Sequence, residues 1–383
     1  MKKFLALILA LVMSLSLVAC GGSKEEAKPA EQPAEQPAEE QGADFSVAMI
    51  TDYGDITDQS FNQTTYEACK AYCEANGVDF NYYKPAGDST AERVAMVEAA
   101  VDDGYTVVVM PGYAFGETIT QVADEYSDIT FIALDVGEGD LGDYTLPGNV
   151  YCAVYQEELC GYMAGYAAVK LGYTHLGFLG GMAVPAVVRY GYGFVQGADA
   201  AATETGADVT MEYVYGNQFW GDADITAYMD NWYQTLGVEV VFACGGGIYA
   251  SAAEAAAKVG GKVIGVDVDQ AAIIDGGYGD GMTVTSAMKG LAPTVEHMLT
   301  EVAAGNFANY GGKIETLGLV SGDDPAANYV QIPMESTQWS DSFSQDDYKA
   351  LVKDMFDGKI TVSNDISAMP STAIAVNEYG NIK

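Results

Sequence analysis

The chain has 383 residues with 17 basic and 54 acidic side chains, a formal charge of −37. A field of that sign repels nucleic-acid phosphates and anionic lipid, which argues against a direct DNA or RNA partner and suits a neutral or cationic small ligand. With only two histidines, His175 and His297, and no zinc-protease, nucleophile-elbow or P-loop motif, the composition points away from metal and nucleophilic catalysis.

Lys2 and Lys3 open the chain, and residues 4–18 are apolar apart from Ser14 and Ser16. That run is too short to cross a membrane comfortably and reads as an export signal. It ends in Leu17-Val18-Ala19-Cys20, which resembles the lipobox of bacterial lipoproteins. The resemblance implies removal of residues 1–19 and lipidation of Cys20; the plainer alternative is a secretory signal with a chance cysteine. Residues 20–43 repeat Glu-Gln-Pro-Ala and can bury almost nothing, so they read as a disordered tether. A folded body hung from a lipid places the protein on the extracytoplasmic face of the cell membrane, where two or more acyl chains are needed for stable anchoring. The other cysteines, Cys69, Cys73, Cys152, Cys160 and Cys244, are odd in number and read as small core residues.

The body is a run of strand–helix units. The apolar run from Val47 to Thr51 is broken by Gly54, and a helix follows over 60–76, capped by Asp58 or Ser60. Strands over 78–83, 105–110 and 129–134 alternate with helices over 90–103 and 116–126. Continuous valine runs suit a parallel sheet buried on both faces. After a Gly-rich acidic loop over 136–148 the pattern restarts. Strands are expected over 150–155, 175–179, 208–215, 238–243 and 262–266, with helices over 157–170, 185–202, 222–236 and up to 258. The expected fold class is α/β, with two doubly wound parallel-sheet lobes.

Open parallel sheets bind ligands beyond the carboxyl ends of their strands. Asp52, Asp135 and Asp267 each sit at such an end. One such aspartate would read as a turn carboxylate. Three of them, with Phe61 and Asn62 beside one and Phe219 and Trp220 in another loop, describe a site for a polyol joined to a flat heteroaromatic ring. Gly246 lies in a run, Gly245 to Gly247, that lets backbone approach a ligand.

These residues resemble the basic membrane protein family of bacterial lipoproteins, which bind purine nucleosides for ABC transporters. The matching stretches are Asp58-Gln59-Ser60-Phe61-Asn62, Phe131-Ile132-Ala133-Leu134-Asp135, Gly181-Met182-Ala183-Val184-Pro185 with Arg189 and Gly193-Phe194-Val195-Gln196-Gly197, Gly265-Val266-Asp267-Val268-Asp269-Gln270, and Thr285-Ser286-Ala287-Met288-Lys289. The resemblance implies a type I periplasmic-binding-protein fold, two lobes joined by a hinge. It implies a nucleoside ligand, a permease and ATPase as partners, no cofactor, no metal and no catalysis. Phe61 would stack on the base, with Phe219 or Trp220 on its other face. Asp267 and Lys289 would hold the ribose, and Asp52, Asn62 and Asp135 would complete the polar contacts. The implied threading puts 44–150 and about 271–307 in lobe I, and 151–270 with about 308–383 in lobe II. A competing reading is an NAD(P)-binding oxidoreductase, because Gly245-x-Gly247-x-x-Ala250 follows a strand and Asp267 ends the next. A ligand-sensing module for a membrane receptor is a third.

Replacing Cys20 with Ala should move the protein from the membrane fraction to the medium or the periplasm. Unchanged membrane retention on fractionation would argue for an anchor other than the lipid.

Overall fold

The computed structural model describes residues 45–383; the signal, Cys20 and the tether lie outside them. Two sheets organise the chain. The first is built from β1 (Val47–Ile50), β2 (Phe80–Tyr83), β3 (Val107–Pro111), β4 (Thr130–Leu134) and β5 (Val150–Tyr155). Between them run α1 (Phe61–Asn76), α2 (Thr90–Asp102), α3 (Phe115–Val122) and the single turn α4 (Glu138–Leu141). The chain then passes through α5 (Glu157–Lys170) into the second sheet. There β6 (His175–Gly180), β7 (Thr210–Tyr215), β8 (Val240–Cys244), β9 (Lys262–Asp267) and β10 (Thr283–Lys289) alternate with α6 (Pro185–Thr205), α7 (Ala223–Asn231), α8 (Tyr249–Ala257) and α9 (Ala271–Tyr278). The remainder is α10 (Leu291–Ala303), β11 (Lys313–Leu317), β12 (Val330–Gln331), α11 (Gln345–Phe356) and β13 (Ala375–Asn381).

Strand order is β11-β5-β4-β3-β1-β2 in one sheet and β12-β10-β9-β8-β6-β7-β13 in the other. Within each, the first five strands follow the same winding, second-first-third-fourth-fifth, so both lobes are doubly wound units with their switch point beside the first strand. All pairings are parallel except β12 against β10. That antiparallel edge is one departure from a purely parallel reading.

The lobe assignment differs from the threading expected from the sequence in a systematic way. The strand over 150–155 was expected to open lobe II, yet β5 pairs with β4. Residues of about 271–307 are expected in lobe I, yet the strand they contain, β10, pairs with β9. In both cases the chain changes lobe after the strand and before its helix: α5 packs on α6 and β10, whereas α10 packs on α1. Residues 316–331, expected in lobe II, are themselves split. β11 joins β5 and β12 joins β10, which makes a third crossing. A strand buried on both faces carries no mark of which sheet it belongs to, so a crossing at its end is silent in the pattern. The three crossings lie side by side, with Gln156 N donating to Leu317 O at 2.9 Å, Gly290 N to Tyr329 O at 2.7 Å, and Tyr329 N to Gly318 O at 3.0 Å.

Lobe II is held by an unusually close contact between α5 and α6. A Cβ on Gly161 would lie 2.2 Å from Tyr190 O, one on Gly165 2.1 Å from Phe194 O, one on Gly193 2.1 Å from Glu158 O, and one on Gly197 2.0 Å from Tyr162 O. Four glycines spaced four apart on facing helices thus let backbone meet backbone. Gly197→Ala should cost about 1–3 kcal/mol, the range for overpacking a filled core. Gly276→Ala in α9, where a Cβ meets nothing within 4 Å, should hold or raise stability. Urea unfolding of the two variants checks both.

Candidate functional site

The carboxyl ends of both sheets face one cavity of about 430 Å³. That is within the range of small-molecule pockets. Asp52, Phe61, Asn62, Asp135, Phe219, Trp220, Gly246, Asp267 and Lys289 all line it. How each reaches it depends on the local backbone. Asp52 follows β1, and its Oδ1 accepts from Tyr53 N and Gly54 N, both at 2.6 Å, and from Asn62 Nδ2 at 3.2 Å. Gly54 and Gly112 are required here, since a Cβ on the first would meet Asn62 Nδ2 at 2.3 Å and one on the second Asp52 Oδ2 at 3.0 Å. Asp135 and Asp267 end β4 and β9 with φ of 60° and 65°, a left-handed turn that aspartate tolerates better than most residues.

The start of α1 resolves the choice of cap. Ser60 occupies the N-cap position but makes no side-chain cap bond. Asp58 does that work, its carboxylate accepting from Ser60 N and Asn62 N at 2.9 Å and from Gln63 N at 3.1 Å. Ser60 Oγ is thereby free to cross the cleft and donate to Asp267 Oδ2 at 2.6 Å. A second crossing bond runs from Gln270 Nε2 to Gln59 O at 3.1 Å.

Lys289 is the electrostatic centre. Its buried ammonium lies 2.5 Å from Asp135 Oδ2, 3.5 Å from Glu157 Oε1 and 3.8 Å from Asp267 Oδ1. It also lies 4.8, 5.4 and 5.7 Å from the ring centroids of Phe61, Tyr155 and Tyr190. Arg189 Nε donates to the far oxygen of Glu157 at 2.6 Å. Burial pulls the Lys289 ammonium toward neutrality, but Asp135, Asp267 and Glu157 outweigh it and hold the group above the ordinary lysine range. Burial likewise raises Asp135, with Lys289 opposing it. Asp52 is pushed up to about 6 by burial, against the lowering effect of Gly54 N–H, the Asn62 amide and Tyr53 N–H.

Three polar atoms of cavity-lining residues, Asp135 Oδ1, Asn62 Oδ1 and Tyr53 Oη, are buried with no hydrogen-bond partner among the described residues. Buried polar atoms normally have partners, so two acceptors and one hydroxyl are available to a ligand here. Its apolar wall is aromatic. The Phe219 ring lies 6.2 Å from that of Tyr53 across the cleft, at an interplanar angle of 25°. Trp220 is 55% exposed and forms the rim.

Several residues of the site carry no distinguishing signal in the sequence. Tyr53 lines the cavity from the first loop but reads as one more loop residue. Tyr190 lines it from a helix beside Arg189. Glu157, buried behind Lys289 rather than lining the cavity, opens α5, where an acid reads as a helix-dipole partner. The role read for Gly246 also changes. The run from Gly245 to Gly247 makes room for the aromatic loop: a Cβ on Gly245 would meet Phe219 Cδ1 at 3.0 Å and one on Gly246 Phe219 O at 3.0 Å, while Gly247 N donates to Phe219 O at 2.9 Å. The fingerprint geometry of strand, glycine turn and helix is present, but its acidic residue, Asp267, is bonded to Ser60 and to Tyr190 Oη at 3.3 Å.

Two doubly wound lobes, three adjacent crossings and a polar–aromatic cavity between them define a two-lobe type I solute-binding protein. The family model described as ABC transporter substrate-binding protein PnrA-like matches residues 45–352, and the chain belongs to this family. It is 29% identical over 333 residues to the CD4+ T-cell-stimulating antigen of Listeria monocytogenes, covering 82% of this chain and 87% of that one. It is 25% identical over 336 residues to the ABC transporter nucleoside-binding protein BmpA of Lactococcus lactis, covering 83% and 89%. Among solved structures it resembles an ABC transporter solute-binding protein from Aeropyrum pernix, with a TM-score of 0.63 at 22% identity over 84% of this chain and 88% of that one. The matched family is one of substrate-binding proteins of ABC transporters, which favours the binding reading over the dehydrogenase one.

The raised Asp52 has a consequence for stability. From the ordinary 3.8 up to about 6, the folded chain keeps a proton that the unfolded chain releases, so this group's contribution to stability falls as pH rises through that window. Asp52→Asn should match the parent near pH 4 and exceed it by about 2–3 kcal/mol at pH 7. Urea unfolding at both pH values tests this; equal stability at pH 7 would contradict the buried, proton-holding carboxylate.

Proposed function

We propose that the chain captures a purine nucleoside between its lobes and delivers it to an ABC permease, held at the extracytoplasmic membrane face by lipid on Cys20. One observation carries the reading: a single cavity joins flat aromatic faces to buried polar groups, Asp135 Oδ1 and Asn62 Oδ1 among them, that are left without partners. A nucleoside has that division, a flat base and a hydroxyl-bearing sugar. The similarity to a protein named for nucleoside binding agrees with it. In this reading the base lies against Phe61, with Phe219 as the second ring, because Phe219 is half-buried and faces the cleft while Trp220 stands at the rim. Asp267 and Lys289 take the ribose hydroxyls, and Asp135 Oδ1 accepts another. Asp52 and Asn62 meet the polar edge of the base. No step breaks a bond, so the protein binds and releases.

The roles of ring and carboxylate are separable. Base–aromatic stacking is worth about 1–3 kcal/mol by alanine substitution. Phe61→Ala should therefore weaken a purine nucleoside and its free base alike, by roughly ten- to a hundredfold. Hydrogen bonds to a charged acceptor are worth about 1.5–3 kcal/mol. Asp267→Ala should cost that much for the nucleoside and leave the free base almost unchanged. Calorimetry of both variants with adenosine, guanosine and inosine, and with adenine, guanine and hypoxanthine, decides it. Intact nucleoside affinity in Asp267→Ala would overturn the assignment.

A further inference from the structure

The family match ends at residue 352, yet a strand beyond it, β13, adds itself to the edge of the second sheet. Its pairing is parallel to β7, from Ala375 opposite Thr210 to Asn381 opposite Tyr215. A parallel strand ends on the same side as its neighbour. β13 therefore delivers Ile382 and Lys383 to the carboxyl edge of the sheet, where β7 gives way to the loop carrying Phe219 and Trp220. Ile382 N donates to Tyr215 O at 2.8 Å, and Lys383 Nζ then bonds both Gln218, at 3.4 Å, and Asp222. These two residues bracket the aromatic pair. Gln218 Nε2 in turn donates to Trp220 O and to Asp222 Oδ2, each at 2.8 Å. Asp222 caps α7 through Asp224 N and Ile225 N at 3.0 Å.

Apolar burial contributes little to β13, since most of its residues are exposed. Beyond its backbone ladder with β7, its side chains are held by Glu212, a buried carboxylate in the middle of β7. Asn377 Nδ2 donates to both of its oxygens, at 3.1 and 3.2 Å, and Tyr379 Oη donates at 2.7 Å. The Tyr379 ring also meets Tyr228 of α7, 6.4 Å between centroids. A carboxylate buried in a strand is costly unless it is bonded. The strand beyond the family match supplies bonds to this one.

We infer that residues 375–383 form a strap that presets the aromatic loop of the cleft, with Lys383 as the positioning residue that clamps Gln218 and Asp222. The consequence for affinity rests on the nucleoside reading; the presetting of the loop does not. A preset loop loses less conformational freedom on binding, so the clamp is expressed as affinity without touching the ligand.

Two measurements on the protein test it. Hydrogen–deuterium exchange without ligand should show faster uptake over 216–222 in Lys383→Met, with 210–215 unchanged and the parent pattern restored in Lys383→Arg. Calorimetry with adenosine should show a loss of roughly two- to fivefold in Lys383→Met, the range an exposed ion pair supplies. That loss should be recovered in Lys383→Arg and should fade near ~1 M salt, where such a pair is screened. Unchanged exchange over 216–222 would overturn the strap. Faster exchange with unchanged adenosine affinity would overturn its link to the site. If the parent protein binds none of adenosine, guanosine and inosine, the nucleoside reading falls, and exchange alone then judges the strap.

Discussion

The Lys289 ammonium is the point on which the two lobes meet. It ends a strand of the second sheet, yet its shortest contact is with Asp135 at the end of a strand of the first. Removing an ammonium and three carboxylates from water is expensive, and mutual attraction roughly repays it only when geometry is good. The cluster therefore contributes little net force for closing the cleft. It fixes instead how the lobes sit when they close, because Lys289 has one pocket that offers it carboxylates and three ring faces together. With the ion pairs near balance, whatever enters the cavity decides whether closure is favourable.

The same balance explains why the site is so acidic around one lysine. Asp135, Glu157 and Asp267 exceed what Lys289 and Arg189 neutralise. A ligand that donates hydroxyl hydrogens relieves the excess; an anion would add to it. The chain-wide charge points the same way, so selectivity against anionic ligands is present at long range and at contact.

Much of this was legible in the residues. The valine-rich strands, the capped helices and the three strand-end aspartates all mark themselves by local chemistry. The division of strands between lobes did not, because β5 and β10 are buried on both faces and the chain changes lobe only after them. α11 also carries a local signature: Ser344 and Asp347 form a capping box ahead of buried Tyr348, Leu351, Val352 and Met355. β13 was not readable at all, since Asn377, Glu378, Tyr379, Gly380 and Asn381 show neither alternation nor an apolar run. In the site, Asp52, Asp135 and Asp267 announce themselves at strand ends. Glu157 and Tyr190 act from helices, where their types have ordinary structural uses. Their meaning comes only from Lys289, a residue distant in sequence.

The three crossings between the lobes also govern the order in which the molecule can be made. Neither lobe is a continuous piece of chain. The first sheet lacks its edge until Lys313 pairs with Tyr151, and α1 lacks its cover until α10 has been synthesised. The second sheet gains one edge when β12 reaches β10 and the other only when β13 reaches β7. A ribosome that has produced the first 155 residues has made a five-stranded sheet with an open side and no way to complete it. Pairings of such long sequence separation fold slowly. The nascent protein thus stays incompletely folded until most of its length exists, which is the condition a chain must meet to be threaded across a membrane before it folds.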